Sequence, residues 1–327
     1  MTDDQEFEGP ASPPEAGRSV GASGEAVSQP VATPIEGPVK TKRSAGRNLP
    51  AAIASGAVLL SWILGTLLWW HWGFVIFLMV AAVAGSYEIV RAFGRAKMNA
   101  VFAPIAVGTP LMLGLSYWVA GDGQFPGADQ LPGVGQLQGV AVILGGLALM
   151  IVACLVGRLR GPVRGFMGDA AASVFTIGYL PLLLATLTLL LAQPDGNLRV
   201  IFYFVLVPCS DTAAYAVGSL LGKHKLAPHI SRGKTWEGFA GAVVITAIVG
   251  GIVGPFMIGA QWWAGAIIGA LLSVAATVGD LVESMIKRDA GIKDMGTLVP
   301  GHGGAMDRLD SLLVAAPFAW ASMMLLV

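Results

Sequence analysis

The sequence predicts an all-α polytopic membrane protein, and three observations lead to this prediction. Of its 327 residues, 55% are hydrophobic and only 12% are charged, whereas a soluble domain is nearer a quarter charged. Nine apolar segments approach or exceed the length of about 20 residues that a helix needs to cross a bilayer. In a chain with nine spans, 19 of the 20 Lys and Arg residues fall on one side of the membrane.

Residues 1–47 precede the first apolar segment and are rich in Pro, Gly, Ala, Ser and Glu. This composition buries too little apolar surface to fold, so we expect a disordered cytoplasmic tail that is not a signal peptide. The cluster Trp69-Trp70-His71-Trp72 separates the first two spans and is typical of a membrane interface. The nine predicted spans lie at approximately 50–70, 72–92, 99–120, 138–157, 169–192, 198–221, 237–258, 261–286 and 309–327.

The distribution of charge orients these spans. Lys and Arg concentrate before span 1, after spans 2, 4 and 6, and between spans 8 and 9, while Arg199 is the only cation of the opposite loops. The positive-inside rule therefore predicts a cytoplasmic N-terminus, a C-terminus on the opposite side and an inner-membrane location. Spans 1–5 form a region at 48–200. Spans 6–9 form a second region at 201–327, with cytoplasmic loops at 222–236 and 287–308.

A charged cluster at 279–311 interrupts the apolar sequence, with ten Asp, Glu, Lys and Arg in 33 residues. On a helix, Asp280, Glu283, Ser284 and Lys287 fall within an arc of about 100°. Charges facing lipid near the bilayer centre would cost about 2.5 kcal/mol or more, so this stripe must face protein or a wet cavity. Two interpretations remain open, a site for metal and phosphate or a buried ion-pair network that fixes helix packing.

The loop at 300–304 and the start of span 9 add to this cluster. Glycines around His302 permit close backbone approach, and the helix that begins near Ala305 offers N–H groups suited to an anion. Asp307 and Asp310 stand at i and i+3, so they can share a divalent cation. Taken alone, the Gly303-Gly304 pair indicates an ordinary turn.

A second polar region surrounds the end of span 6. Asp211 lies inside an apolar span, where an ionisable residue is functional or paired by default. The following loop supplies Lys223, Ser231, Lys234 and Thr235, a set suited to a nucleotide triphosphate but also compatible with a generic positive-inside loop. We expect Glu88 to pair with Arg91 and Asp169 to favour a helix N-terminus. Cys154 and Cys209 lie in apolar runs, and the four His residues show no zinc spacing.

These residues resemble the signature of the phosphatidate cytidylyltransferases, or CDP-diacylglycerol synthases. The resemblance is carried by Ser284-x-x-Lys287-Arg288, Lys293-Asp294-x-Gly296 and Pro300-Gly301-His302-Gly303-Gly304-x-x-Asp307-Arg308-x-Asp310. Asp211-x3-Tyr215 and the segment Gly222–Gly238 match as well, except that Arg232-Gly233 replaces the family's usual Pro and basic residue. The resemblance covers about residues 205–311.

The resemblance implies an enzyme that joins CTP and phosphatidate into CDP-diacylglycerol and pyrophosphate, with Mg²⁺ and room for a second cation. It also implies a homodimer in contact with membrane lipids, and nothing indicates nucleic-acid binding. The implied metal ligands are Asp280, Asp307 and Asp310. The implied catalytic residues are Lys287, Arg288, Lys293, His302 and Arg308. The implied contacts to CTP and phosphate are Asp211, Lys223, Ser231, Lys234, Thr235, Gly303 and Gly304.

Two alternatives stay open at this point. The motif discriminates poorly between lipid tails, so a CTP-dependent cytidylyltransferase or kinase acting on an isoprenoid or ether lipid has the same pattern. A secondary transporter or ion channel would spread charges over several membrane depths. The clustering at one interface favours the enzyme.

Overall fold

The computed structural model describes residues 49–121, 134–296 and 304–327, with side chains from residue 56 onward. The helices of its first half are α1 (Leu49–Trp69), α2 (His71–Arg95), α3 (Phe102–Ala120), α4 (Val134–Arg158), α5 (Phe166–Tyr179) and α6 (Pro181–Leu191). The second half contains α7 (Gly196–Leu221), β1 (Lys225–Ala227), β2 (Ser231–Thr235), α8 (Trp236–Met257), α9 (Trp262–Asp289) and α10 (Met306–Leu326). The predicted all-α polytopic class is confirmed.

The predicted spans correspond to helices with small shifts at their ends. Eight segments of the described chain are long and apolar enough to cross a membrane, and Gly56–Trp69 of α1 adds a shorter apolar helix. Only Trp70 separates α1 from α2, as the tryptophan cluster indicated. Exposed apolar side chains such as Leu149 and Phe256 suit helices that face lipid.

Span 5 is a broken helix, which the apolar pattern did not predict. Pro181 is the first residue of α6, and Leu180 before it closes α5. A proline lacks the N–H that a continuous helix needs, and it restricts the residue before it. Apolar length alone does not reveal the break, because the apolar sequence continues from α5 into α6.

The predicted cytoplasmic loop after α7 folds into a two-stranded antiparallel hairpin, which the sequence analysis did not predict. Lys225 pairs with Thr235 and Ala227 pairs with Ser231. The Thr235 side chain then caps α8, since its Oγ1 accepts a hydrogen bond from the Gly238 N–H at 3.1 Å. The hairpin therefore leads directly into the first turn of α8.

Glycines allow the C-terminal helices to approach closely. α9 packs against both α8 and α10, and a Cβ at Gly250 or Gly265 would overlap backbone atoms of the facing helix. A Cβ at Gly279 would overlap the carbonyl oxygen of Asp310. These contacts set the distance between the helices that carry the charged cluster.

Replacing Gly279 with alanine should destabilise the fold by about 1–3 kcal/mol, because the added methyl group must push α9 away from α10. Thermal unfolding of the detergent-solubilised protein measures this as a lower melting temperature. Gly145→Ala is the matched control, since a Cβ there meets nothing within 4 Å. Equal melting temperatures for the two variants would contradict the proposed close contact.

Candidate active site

A cavity of about 520 Å³ opens at one end of the C-terminal helices. It lies between the last turns of α7, the hairpin with the start of α8, the last turns of α9 and the start of α10. Its carboxylates are Asp211, Asp280, Asp307 and Asp310, and its cations are Lys234 and Arg308. Its hydroxyl-bearing residues are Tyr215, Ser219, Ser231, Thr235, Thr277 and Ser311.

Lys234 connects the hairpin to α9. Its Nζ lies 2.7 Å from Asp280 Oδ2 and donates to the Thr277 carbonyl oxygen at 3.3 Å. The other oxygen of Asp280 accepts a hydrogen bond from Ser284 Oγ at 3.3 Å. The ammonium group thus lies against a carboxylate and a carbonyl, both of which are oxygen ligands that a metal cation also uses.

Ser311 of α10 links Asp211 of α7 to Asp310 of α10. The Ser311 hydroxyl donates to Asp211 Oδ1 at 3.3 Å, while the Ser311 N–H donates to Asp310 Oδ1 at 2.7 Å. The charges of Asp211, Asp280 and Asp310 are close enough to repel each other. A cation bound in the cavity would reduce this repulsion.

Lys287 joins Asp307 of the cavity to a fifth carboxylate, that of Glu283. Its Nζ lies 2.5 Å from Glu283 Oε2 and 2.6 Å from Asp307 Oδ1. The Glu283 side chain is 1% exposed, and its second oxygen has no hydrogen-bond partner among the described residues. Asp307 also accepts hydrogen bonds from the Gly304 N–H at 2.8 Å and from the Met295 N–H at 3.3 Å.

The side chain of Glu88, which belongs to α2, binds the N-terminal end of α10. Its two oxygens accept hydrogen bonds from the N–H groups of Ala305 and Met306, at 3.1 and 2.9 Å. A carboxylate at this position satisfies free N–H groups and the positive end of the helix dipole. The N–H groups that we expected to be free for a ligand are therefore bound by a carboxylate of the chain itself. The expected pairing of Glu88 with Arg91 is not found among the described contacts.

The comparisons with known proteins identify the family. The model of the cytidylyltransferase family matches residues 50–326. The chain belongs to the cytidylyltransferase family. Since the match includes α1–α6, membership extends well beyond the segment 205–311 on which the sequence resemblance rested.

Several curated relatives carry the name phosphatidate cytidylyltransferase. The protein of Mycobacterium leprae is 36% identical over 303 residues, which covers 88% of this chain and 91% of that protein. The protein of Mycobacterium bovis is 35% identical, covering 93% of this chain and 97% of that protein. The protein of Haemophilus influenzae is 32% identical, covering 83% of this chain and 96% of that protein.

Most of the site residues predicted from the sequence meet in this member of the cytidylyltransferase family. Those that line the cavity are Asp211, Ser231, Lys234, Thr235, Asp280, Asp307, Arg308 and Asp310. Lys287 and Gly304 bind Asp307 at the edge of the cavity. Lys223, Arg288 and Lys293 are exposed and do not line the cavity. His302 and Gly303 lie outside the described residues.

The structure adds residues that sequence reasoning missed. Thr277 and Ser311 line the cavity, but each looks like an ordinary helix residue in the sequence. Glu88 was noted as an ionisable residue inside a span, and its partners lie 217 and 218 residues away. The signal for Glu88 was its charge in an apolar segment, since such a residue requires a polar partner.

The cavity carboxylates are compatible with Mg²⁺, although they do not form a complete cage. Among the described residues, no three His, Cys, Asp or Glu side chains stand together closely enough to hold a metal. Mg²⁺ commonly uses only one or two protein carboxylates and takes its other ligands from water and substrate phosphates. Asp211, Asp280 and Asp310 line one cavity, so one or two of them can serve as the protein ligands of such an ion.

Proposed function

We propose that this protein transfers CMP from CTP to phosphatidate, giving CDP-diacylglycerol and pyrophosphate. The observation that carries the proposal is the cavity at the end of α7–α10, which combines four carboxylates with Lys234 and Arg308 beside helices suited to lipid. Such a set handles phosphates and their counterions. Family membership and the names of the relatives support the same substrates.

The reaction joins two polyanions. A phosphate oxygen of phosphatidate attacks the α-phosphorus of CTP, and the bond from that phosphorus to the pyrophosphate oxygen breaks. The attacking phosphate is ionised near neutral pH, so the site needs no strong general base. Its main task is to neutralise negative charge as the two phosphates approach and as pyrophosphate leaves.

Lys234 and Arg308 are placed for this task. Lys234 extends from the hairpin into the cavity, and Arg308 lies on the first turn of α10 at the cavity wall. In this proposal CTP lies along the hairpin, where Ser231 and Gly233 allow contact with its phosphates. Lys287 pairs with Asp307 at the edge of the cavity, and its ammonium group can move toward a bound phosphate.

The proposal includes Mg²⁺, held by one or two of the carboxylates of Asp211, Asp280 and Asp310, with Asp307 at the edge of the same cavity. Water and substrate phosphates would supply the remaining ligands. When bound, the ion would neutralise phosphate charge and stabilise the leaving pyrophosphate. Lys234 now neutralises Asp280, and its flexible side chain can move from the carboxylate to a phosphate. The sequence leaves open a second cation.

The charge distribution supports a cytoplasmic active site in the inner membrane. We infer that the basic ends of α2 and α4 lie on the same face as the cavity: Glu88 of α2 binds the start of α10, and Arg158 at the end of α4 pairs with Asp169 in the first turn of α5. The positive-inside rule makes that face cytoplasmic. The homodimer stays a prediction, which the mass of the protein in lipid nanodiscs would test.

Purified protein in mixed micelles should release pyrophosphate from CTP only when phosphatidate and Mg²⁺ are present. Lys234→Met should lower kcat/KM by about a hundredfold, the effect of losing one well-placed electrostatic contact. Lys225→Ala is the matched control, because this lysine lies on the same hairpin but does not line the cavity.

Full activity of Lys234→Met would contradict the assigned role of this lysine. Pyrophosphate release with an isoprenoid or ether lipid phosphate, and not with phosphatidate, would overturn the proposed substrate. A panel of these three lipids at equal surface concentration separates the outcomes.

A further inference from the structure

A second cavity lies apart from the candidate active site, between the loop that follows α2 and the loop that joins α4 to α5. Its volume is about 440 Å³, and Lys97, Arg158 and Arg164 line it. No residue of this cavity belongs to the first one. The proposed reaction therefore does not account for these three basic residues.

Within the described part of the chain, an acidic side chain pairs with only one of the three cations. Arg158 Nε lies 2.6 Å from Asp169 Oδ2, and both side chains are nearly buried. Asp169 also accepts a hydrogen bond from the Asn99 N–H at 2.5 Å. Among the described residues, neither Lys97 nor Arg164 has an acidic partner within 4 Å. The cavity thus has an excess of two positive charges around a rigid ion pair.

The backbone of Lys97 has a conformation that is unusual for a lysine. The Met98 N–H bonds the Phe93 carbonyl and the Lys97 N–H bonds the Gly94 carbonyl, which is the hydrogen-bond pattern of a Schellman motif. In that motif Lys97 holds the left-handed position, with φ of 62°. Glycine is the usual residue there because it adopts this conformation without strain. A lysine at such a position suggests a function that outweighs the strain.

The α4–α5 loop and the first turn of α5, beside the cavity, are amphipathic. Leu159, Val163 and Met167 are 72%, 92% and 80% exposed, and Arg160 and Arg164 alternate with them. Exposed apolar side chains among arginines are typical of a segment that lies in the headgroup layer of a membrane. The loop therefore brings the cavity to the level of lipid headgroups.

We propose that this cavity binds the phosphate headgroup of an anionic phospholipid, at a site separate from that of the substrate. Lys97 and Arg164 would contact the phosphate, and the Arg158–Asp169 pair would hold the two loops in place. The alternative of a free soluble phosphate has less support, because the exposed apolar side chains place the cavity at the membrane surface.

Native mass spectrometry of the full-length protein in detergent tests the proposal. The probes are dioleoyl phosphatidylglycerol, dioleoyl phosphatidylcholine and soluble glycerol phosphate. The wild-type protein should retain phosphatidylglycerol more strongly than phosphatidylcholine. Lys97→Gly and Arg164→Ala should each weaken phosphatidylglycerol binding about fivefold, the contribution of one basic residue near an anionic surface.

Arg160→Ala is the matched control, since Arg160 is exposed on the same loop but does not line the cavity. Its binding of phosphatidylglycerol should stay within about twofold of wild type. Lys97→Gly also separates binding from folding, because glycine suits the left-handed position and should leave the melting temperature unchanged or higher.

Three results would overturn the proposal. In the first, the double variant of Lys97→Gly and Arg164→Ala retains as much phosphatidylglycerol as the wild-type protein. This result would assign all bound anionic lipid to the substrate cavity. The second is displacement of the lipid by glycerol phosphate at equal concentration. The third is a lower melting temperature for Lys97→Gly, which would give the lysine a structural role.

Discussion

Asp280→Asn is expected to lower CTP turnover by a hundredfold to about a thousandfold while the protein stays folded. The substitution keeps the size of the side chain but removes the charge that faces Lys234 at 2.7 Å. In the proposed mechanism this charge positions the lysine and supports the Mg²⁺ ion, so both contributions to phosphate neutralisation are lost. Lipid-dependent pyrophosphate release measures the change, and thermal unfolding shows that the fold persists.

Asp289→Asn provides the matched control for this experiment. Asp289 is exposed near the end of the same helix and does not line the active-site cavity. Asp289→Asn changes the net charge of the protein by the same amount as Asp280→Asn, but it leaves the active-site cavity unaltered. Normal turnover in Asp280→Asn would sink the assignment of the metal and phosphate site, and equal losses in both variants would indicate a general charge effect.

Lys287→Met is expected to destabilise the protein by about 3–5 kcal/mol, because it leaves two carboxylates without their shared cation. Glu283 is buried at 1% exposure and Asp307 is only slightly more accessible. The loss corresponds to a fall in melting temperature of about 10 °C. Differential scanning fluorimetry in detergent measures this shift, and turnover is expected to fall as well.

A double variant identifies the cause of that loss. Adding Glu283→Gln to Lys287→Met removes one stranded charge, so it should recover part of the lost melting temperature. Lys293→Met is a matched control, since the exposed Lys293 forms no ion pair among the described residues. A melting temperature for Lys287→Met equal to that of Lys293→Met would show that the buried ion pairs contribute nothing measurable.

The fold class followed from the sequence because its determinants are local. A span needs only enough apolar residues in a row, so α2, α3 and α8 are found close to their predicted bounds. The break at Pro181 and the hairpin at Lys225–Thr235 were not predicted. Each depends on one residue or one pairing that an average over about 20 residues conceals.

The site was predicted in part for a similar reason. Asp211, Asp280 and Asp310 attract attention because a charge inside an apolar segment requires a partner, and all three line one cavity. Lys223, Arg288 and Lys293 match the family signature equally well, yet they are exposed outside it. A motif gives the residue types and the spacing, but the direction of each side chain depends on neighbouring helices.

By itself, the sequence determined that this chain crosses a membrane several times, and it predicted that the charges gather at one interface. Only the tertiary structure decided the partners: Lys234 with Asp280, Lys287 with Asp307, and Glu88 with the start of α10. The physical reason is that apolar length and charge asymmetry are summed along the chain. A hydrogen bond or an ion pair instead requires two groups within a few ångströms, and helix packing alone brings them together.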